Sequence, residues 1–381
     1  MLKVGVIGTG HWFERLYIIM SRTPDIKLTK VAGISPVEKK RELLARLSVP
    51  TDEYYQISAD ARMPGRFFDG IDLVHISDPN EFHASQTMQA VENGKITITE
   101  KTFGVSRSEF TRVVEYIRKS NAEGKVLLHL HYLNKQLTLM LPKLLKDTVA
   151  KHGKITGASA TFFERESDED ARRSSWLFSQ KSGGLFMDWG HPFEVYYKGA
   201  KADTMLLNDV RLYASNEKYS ATEPTGIEAH VSLGGALFSG YARSVIRVAK
   251  GVAHDKAKKA MRFVFEDGAY LDLSFVDSEI EFRSDKRGEW RLHGKGGRLL
   301  IEGRPSGKTT SEFLVDEIMA MGRGESPSLS LSDAEKLFEP QWRYQEIAKS
   351  KELVSDKRAV SEFLENGFRT EIGNSVFVFG K

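Results

Sequence analysis

The chain has 381 residues, with 55 Lys and Arg against 52 Asp and Glu, and no cysteine. The length suggests two domains, and the near balance of interspersed charges excludes the concentrated basic footprint of a nucleic-acid binder. A hydrophobic content of 40% excludes a disordered chain, and the lack of cysteine excludes disulfides, thiolate metal sites and cysteine nucleophiles.

The first ~125 residues alternate strand and helix patterns. Lys3 to Ile7 is a short apolar run ending in Gly8-Thr9-Gly10, and a helical pattern follows from His11 to Ser21. Lys27 to Ile34 reads as a strand and Pro36 to Leu47 as a helix. Leu73 to Ile76 is a buried strand, and Asn80 to Asn93 is a helix stopped by Gly94. Ile96 to Thr99, Ser106 to Asn121 and Lys125 to His129 read as strand, helix and strand. Short apolar strands separated by helices imply right-handed βαβ units and a parallel, doubly wound sheet. Between Gly226 and Gly303 the texture changes to three hairpins, with turns at Gly234-Gly235, Asp267-Gly268 and Gly296-Gly297. Ser311 to Met321 and Ser332 to Ala348 read as helices. No apolar run reaches the ~18 residues of a membrane span. The strand-like run starting at Lys3 leaves no room for a signal peptide, so a cytoplasmic protein is expected.

Gly8-x-Gly10 directly after the first strand is half of a dinucleotide fingerprint. Gly8 serves the tight turn, and Gly10 lets backbone at Thr9 and His11 approach a pyrophosphate at the helix N-terminus. Phe13 occupies the third glycine position. At the end of the second strand Ser35 stands where an NAD-binding fold usually carries an acid, and Lys39 and Lys40 follow. A small hydroxyl with cations suits a 2′-phosphate, so NADP is expected in preference to NAD.

Three further segments are Asp78-Pro79-Asn80-Glu81-Phe82-His83, Glu100-Lys101-Thr102-Phe103, and Ser182-Gly183-Gly184 running to Asp188-Trp189-Gly190-His191, just after Trp176. In this order they resemble the glucose–fructose oxidoreductase, inositol dehydrogenase and rhizopine-catabolism family. The resemblance covers about residues 2 to 200 and continues weakly to Ala334. It implies a Rossmann domain followed by a domain whose sheet carries the active site on one face and mediates oligomerisation on the other. It also places Pro79, Asn80, His83 and Glu100 at the cofactor. Two departures stand out. Thr102 replaces the family's proline after the lysine, so this loop is expected to differ. His191 lies one residue before the family's histidine position, which is Pro192; if the stretch is helical, Asp188 and His191 still share a face.

Glu100 to Gly104 and His131-Tyr132-Leu133-Asn134-Lys135 are also similar to short motifs of glucose-6-phosphate dehydrogenases. That similarity implies that His131, Tyr132 and Lys135 contact a sugar phosphate. Independently, an imidazole, a phenol and an ammonium just past a strand's C-terminal end lie on the ligand-binding edge of a parallel sheet. They suit a dianion or sugar hydroxyls equally. Trp176 reads as a substrate-pocket wall or as part of a solvated loop. Asn80 reads as a helix N-cap and His129 as a buried strand histidine. The histidine spacing gives no metal-site signature.

The expectation is therefore an α/β protein, with an N-terminal Rossmann domain over 1–125 and a C-terminal α/β domain over 126–381 built on a large, mostly antiparallel sheet. Its function reads as NADP-dependent hydride transfer at a hydroxyl or carbonyl of a sugar or sugar phosphate. Lys101 would polarise the reacting oxygen, His191 act as base, and Asp188 orient it or bind substrate, the hydroxyl lying in a cleft between the domains. The alternatives are a dehydrogenase of a free polyol or inositol, and a non-catalytic dinucleotide-binding regulator of the same fold. Neither nucleic acid nor membrane is an expected partner. The strands from Gly226 to Gly303 appear apolar on both faces, with Leu237 beside Phe238 and Phe263 through Phe265, so a homodimer or homotetramer is expected.

Overall fold

The computed structural model describes residues 1–57, 62–165, 184–216, 224–253, 256–275, 288–366, 369–372 and 375–378. They form two compact units. One comprises Met1–Leu130 and Thr310–Lys336; the other comprises the described residues from His131 to Thr309 and from Leu337 onward.

The first unit is built on six strands: β1 (Leu2–Ile7), β2 (Ile26–Gly33), β3 (Tyr54–Gln56), β4 (Leu73–Ile76), β5 (Ile96–Glu100) and β6 (Val126–His129). Their order is β3-β2-β1-β4-β5-β6, and every pair is parallel. This is the doubly wound dinucleotide-binding order. Its strands are covered on both faces, which is why they read as continuous apolar runs; all four residues of β4 are buried. The crossovers include α1 (His11–Met20), α2 (Arg41–Arg46), α3 (Asn80–Glu92) and α4 (Arg107–Lys119). Ser106 caps α4, its hydroxyl accepting from the Glu109 amide. The later helix Thr310–Gly322 returns to this unit and packs on α1. The continuous helix expected from Pro36 is instead a 3₁₀ turn, Val37–Lys39, followed by α2. Lys40 between them departs from helical geometry at φ −115°, ψ −1°.

The second unit opens with a 3₁₀ turn at His131–Asn134 and α5 (Gln136–His152). Its nine-stranded sheet has the order β14-β13-β12-β11-β7-β10-β9-β8-β15. In chain order these are β7 (Ile155–Arg165), β8 (Thr204–Tyr213), β9 (Gly226–Gly234), β10 (Phe238–Val252), β11 (Lys258–Phe265), β12 (Tyr270–Ser274), β13 (Glu289–His293), β14 (Leu299–Gly303) and β15 (Leu353–Val354). The three expected hairpins are present as β9–β10, β11–β12 and β13–β14. The sheet is mixed as well as mostly antiparallel, because β7 joins β10 and β15 joins β8 in parallel.

The apolar residues cited for a second exposed face need correction. Phe238 and Phe263 to Phe265 are buried within the single chain. Phe263 packs against Tyr196, and the sheet's far side has its own cover: Phe363 of the helix Lys357–Asn366 packs with Phe163, Tyr213, Ala249 and Val252. The exposed apolar residues lie at Tyr241, Leu206 and the edge strand β14, where Leu299, Leu300 and Ile301 are all solvent-facing. Among the described residues no helix is long and apolar enough to cross a membrane.

On β10, positions 242, 244, 246, 248 and 250 alternate as one buried face, and a register shift after Lys250 turns Val252 to the other side with Ala249. Ser244 on that face meets the Tyr196 hydroxyl at 2.8 Å. The helical segment from Phe186 to Gly199 is thereby set against this side of the sheet.

Candidate functional site

The first unit's candidate residues gather at the carboxyl ends of its strands. Gly8 has φ +102°, and a Cβ there would sit 2.5 Å from the Ser77 carbonyl carbon, so the turn admits only glycine. Gly10 is different. It caps α1, and a Cβ built on it would meet nothing within 4 Å. Gly10 has no side chain with which to cap the first turn of α1. Open space at a helix start is a cradle for a phosphate, so the residues described fit a dinucleotide. His11 is the first residue of that helix.

Past β2, the Tyr54 hydroxyl donates to the Ser35 carbonyl at 2.6 Å and fixes the loop. Lys39 is exposed. Lys40 is the lysine that turns inward, its ammonium donating to the Thr9 carbonyl at 3.4 Å. This cation at the glycine turn is a candidate cofactor-site residue that the fingerprint alone did not single out over Lys39.

Past β4, Pro79 rather than Asn80 occupies the N-cap of α3. Asn80 is already helical, and no side chain caps the helix. Proline's fixed φ suits a helix start, and this displaces the asparagine inward by one. His83 is buried, with Nδ1 2.9 Å from the Thr102 carbonyl and Nε2 2.7 Å from the Asp78 carbonyl. It thus ties the loop after β4 to the loop after β5. Burial pushes its imidazole down, against the pull of both carbonyls. Asp78 accepts from the Gln86 amide at 2.8 Å, and burial pushes its carboxyl up to about 6.

Glu100 ends β5 between two imidazoles. Its Oε1 lies 2.9 Å from Nδ1 of His129 on β6 and 3.2 Å from Nε2 of His75 on β4. Burial alone would raise this carboxyl, but His129 and His75 outweigh it and hold it well below the usual range. His129 is thus a buried strand histidine, as expected, and also a partner of Glu100. Lys101 follows immediately and is half-buried. The Lys101–Thr102 peptide bond is cis although Thr102 is not proline.

The second unit gathers another cluster. Asp188 lies in the short helix Phe186–Trp189 and His191 opens the next, His191–Glu194. The expected shared face is present: His191 Nε2 lies 3.4 Å from Asp188 Oδ1. His191 Nδ1 lies 3.0 Å from Glu194 Oε1. Glu194 is buried, and its other oxygen accepts the Tyr132 amide at 2.9 Å. The His191 ring packs 4.5 Å from both the Tyr132 and the His131 rings. The Lys135 ammonium, also buried, lies over the Tyr132 ring at 4.9 Å. Asp188 Oδ2 pairs with the ammonium of Lys250 from β10. The structure thus brings together His131, Tyr132, Lys135, Asp188 and His191, and adds Glu194 and Lys250. Glu194 had a legible signal, since it follows His191 by the same i, i+3 step that links Asp188 to His191. Trp176, Ser182 and Gly183 lie outside the described residues. Among the described residues no group of three or more His, Asp or Glu is arranged to hold a metal ion.

Comparison with known proteins gives three kinds of likeness. Residues 2–126 match the model of the GFO/IDH/MocA family, an oxidoreductase family with an NAD-binding Rossmann fold. Among curated proteins, scyllo-inositol 2-dehydrogenase (NADP(+)) IolU of Bacillus subtilis (strain 168) is 27% identical over 198 residues, covering 50% of this chain and 55% of that protein. The chain therefore spans about half the length of that relative. Among solved structures, aldose-aldose oxidoreductase from Caulobacter crescentus, complexed with glycerol, has a TM-score of 0.71 at 15% identity, covering 91% of this chain and 97% of that one. KijD10, a 3-ketoreductase from Actinomadura kijaniata in complex with NADP and TDP-benzene, has a TM-score of 0.71 at 14% identity, covering 93% and 99%. At these identities the structural likeness speaks for the fold, which agrees with the parallel sheet and the mixed sheet described above. The glycine turn and the strand order agree with the match of residues 2–126 to the NAD-binding Rossmann model of the GFO/IDH/MocA oxidoreductase family.

Proposed function

We propose that the protein is an NADP-dependent dehydrogenase of a sugar or polyol hydroxyl, working equally as a reductase of the corresponding carbonyl. The observation that carries this reading is the buried His191 imidazole held between two carboxylates. Glu194 accepts from Nδ1 and so leaves Nε2 as the nitrogen that takes a proton. Asp188, beside Nε2, stabilises the imidazolium that results. A bound nicotinamide supplies the hydride acceptor. The carbinol C–H bond breaks with its electron pair leaving as hydride, the hydroxyl proton passes to His191, and the carbon–oxygen double bond forms. Lys101 serves by donating a hydrogen bond to the reacting oxygen. Support for NADP comes from Ser35 at the acidic position and Lys40 at the Thr9 carbonyl, and from the NADP named for two of the similar proteins.

Lys135 bears on the substrate. Its ammonium is buried over the Tyr132 ring, a placement that suits a phosphate ester and the hydroxyls of a free sugar, polyol or inositol alike. The test is a screen of free and phosphorylated sugars and inositols with NADP⁺ and NAD⁺, following reduction of the cofactor. With the substrate in hand, Lys101→Ala and His191→Ala should each lower kcat by about 100-fold or more while cofactor affinity stays within a few fold. Near-normal kcat in His191→Ala would move the base to Lys101 or Asp188. Tight NADP binding with no turnover of any compound would replace the dehydrogenase by the binding regulator.

A further inference from the structure

Lys250 is out of place by the logic of its strand. Its neighbours on the same buried face of β10 are Ala242, Ser244, Ile246 and Val248. Among them sits an ammonium whose residue is only 5% exposed. Removing such a charge from water costs several kcal/mol. A buried ion pair is often no more stable than a packed apolar pair of the same volume. The charge is therefore poorly explained as a contribution to the fold, and its placement has a direction. Lys250 pairs with Asp188 Oδ2, while Oδ1 of the same carboxylate faces His191 Nε2. Asp188 itself sits on a short helix of four residues, whereas Lys250 stands on a central strand paired on both sides, to β7 and β9.

We propose that Lys250 is a positioning residue of the proton-transfer site. It anchors Asp188 to the sheet, presents the other carboxylate oxygen to His191, and sets the charge balance in which His191 gains and loses its proton. The proposal rests on the dehydrogenase reading for its kinetic consequence but not for its geometry. Among the described residues the charged and titratable groups around His191 are Asp188, Glu194, His131, Tyr132, Lys135 and, through Asp188, Lys250. The Lys250 ammonium offsets part of the Asp188 charge. Its removal takes a positive charge away from the site and so favours the protonated imidazole.

Two measurements test this. In Lys250→Met, kcat should fall at least tenfold with the cofactor's KM within a few fold. The acid limb of the kcat–pH profile should move up by about one unit, and Lys250→Arg should recover much of the loss. Lys351→Met, which removes an exposed ion pair to Asp209 on β8, should show neither effect. The second measurement needs no substrate: the His191 ring signal, assigned by its loss in His191→Gln, should titrate at higher pH in Lys250→Met than in the parent protein. An unmoved His191 signal in a folded Lys250→Met protein overturns the proposal, as does an unchanged pH profile. A moved signal in a protein that turns over nothing upholds the positioning role and overturns the dehydrogenase reading.

Discussion

Asp78→Asn should make the Rossmann unit more stable, and increasingly so as pH rises. Asp78 follows β4 against the Gly8 turn, where a Cβ on Gly8 would lie 2.6 Å from the Asp78 amide nitrogen. Its carboxyl accepts from Gln86, and burial pushes it from 3.8 up to about 6. Between those values the folded chain holds a proton that the unfolded chain has released, so stability falls as pH rises through the window. A displacement of about two units, at about 1.4 kcal/mol each, amounts to about 3 kcal/mol lost by pH 8. Asparagine keeps an oxygen for Gln86 and removes the charge. At about pH 8 the variant should gain about 3 kcal/mol, which for a unit of this size is roughly 6–12 °C in Tm. At about pH 4 the folded carboxyl is already neutral and the gain should drop below about 1 kcal/mol. Thermal melts of both proteins across this range read the difference directly. A gain that is absent, or equal at both ends, would refute the account of Asp78 as a buried acid held neutral.

Glu100 predicts the opposite slope: its folded carboxyl is held low by His129 and His75, so the stability it lends is present above the unfolded value near 4.5 and lost as pH falls below it. Glu100→Gln should therefore destabilise at neutral pH, with a deficit that shrinks on acidification in urea titrations. Ser35→Asp should swing preference from NADP(H) toward NAD(H), and Lys40→Ala should weaken NADP(H) more than NAD(H); a parent enzyme preferring NAD(H) tenfold would contradict both. The exposed Leu299-Leu300-Ile301 edge should mediate self-association, so Leu300→Lys should lower the assembly state in sedimentation, and a parent protein that is only a 42.9 kDa monomer at micromolar concentration would contradict it.

The Rossmann half was legible because each of its signals is local. Strands buried on both faces read as apolar runs, and Gly94 ends α3. β7 was not, and its composition explains why. Gly157 to Phe163 is buried on both faces, yet Gly157-Ala158-Ser159-Ala160-Thr161 offers neither apolar alternation nor a bulky run. In β8 the pairing register shifts between Leu207 and Asp209, which breaks the period of two. In the site, Asp188 and His191 were legible from spacing. The Asp188–Lys250 pair was not, because a helix and a strand far apart in sequence supply it. The signal that existed was a single lysine on an otherwise apolar strand face.

The one-residue displacement of His191 shows what kind of pattern the sequence preserves. A step of three along a helix returns close to the same face, and the two short helices joined at Gly190 keep that relation well enough to set Nε2 3.4 Å from Asp188. The next step of three reaches Glu194, which takes the other ring nitrogen and, through its second oxygen, the amide of Tyr132. The imidazole is thus fixed from both sides although it stands one place earlier than in the family's motif. Pro192, at the motif's own position, is the second residue of the short helix, in the first turn where its missing amide costs nothing. What the chain retains is an acid–imidazole–acid ladder along one face, and geometry of that kind survives a shift that position-by-position matching records as a loss.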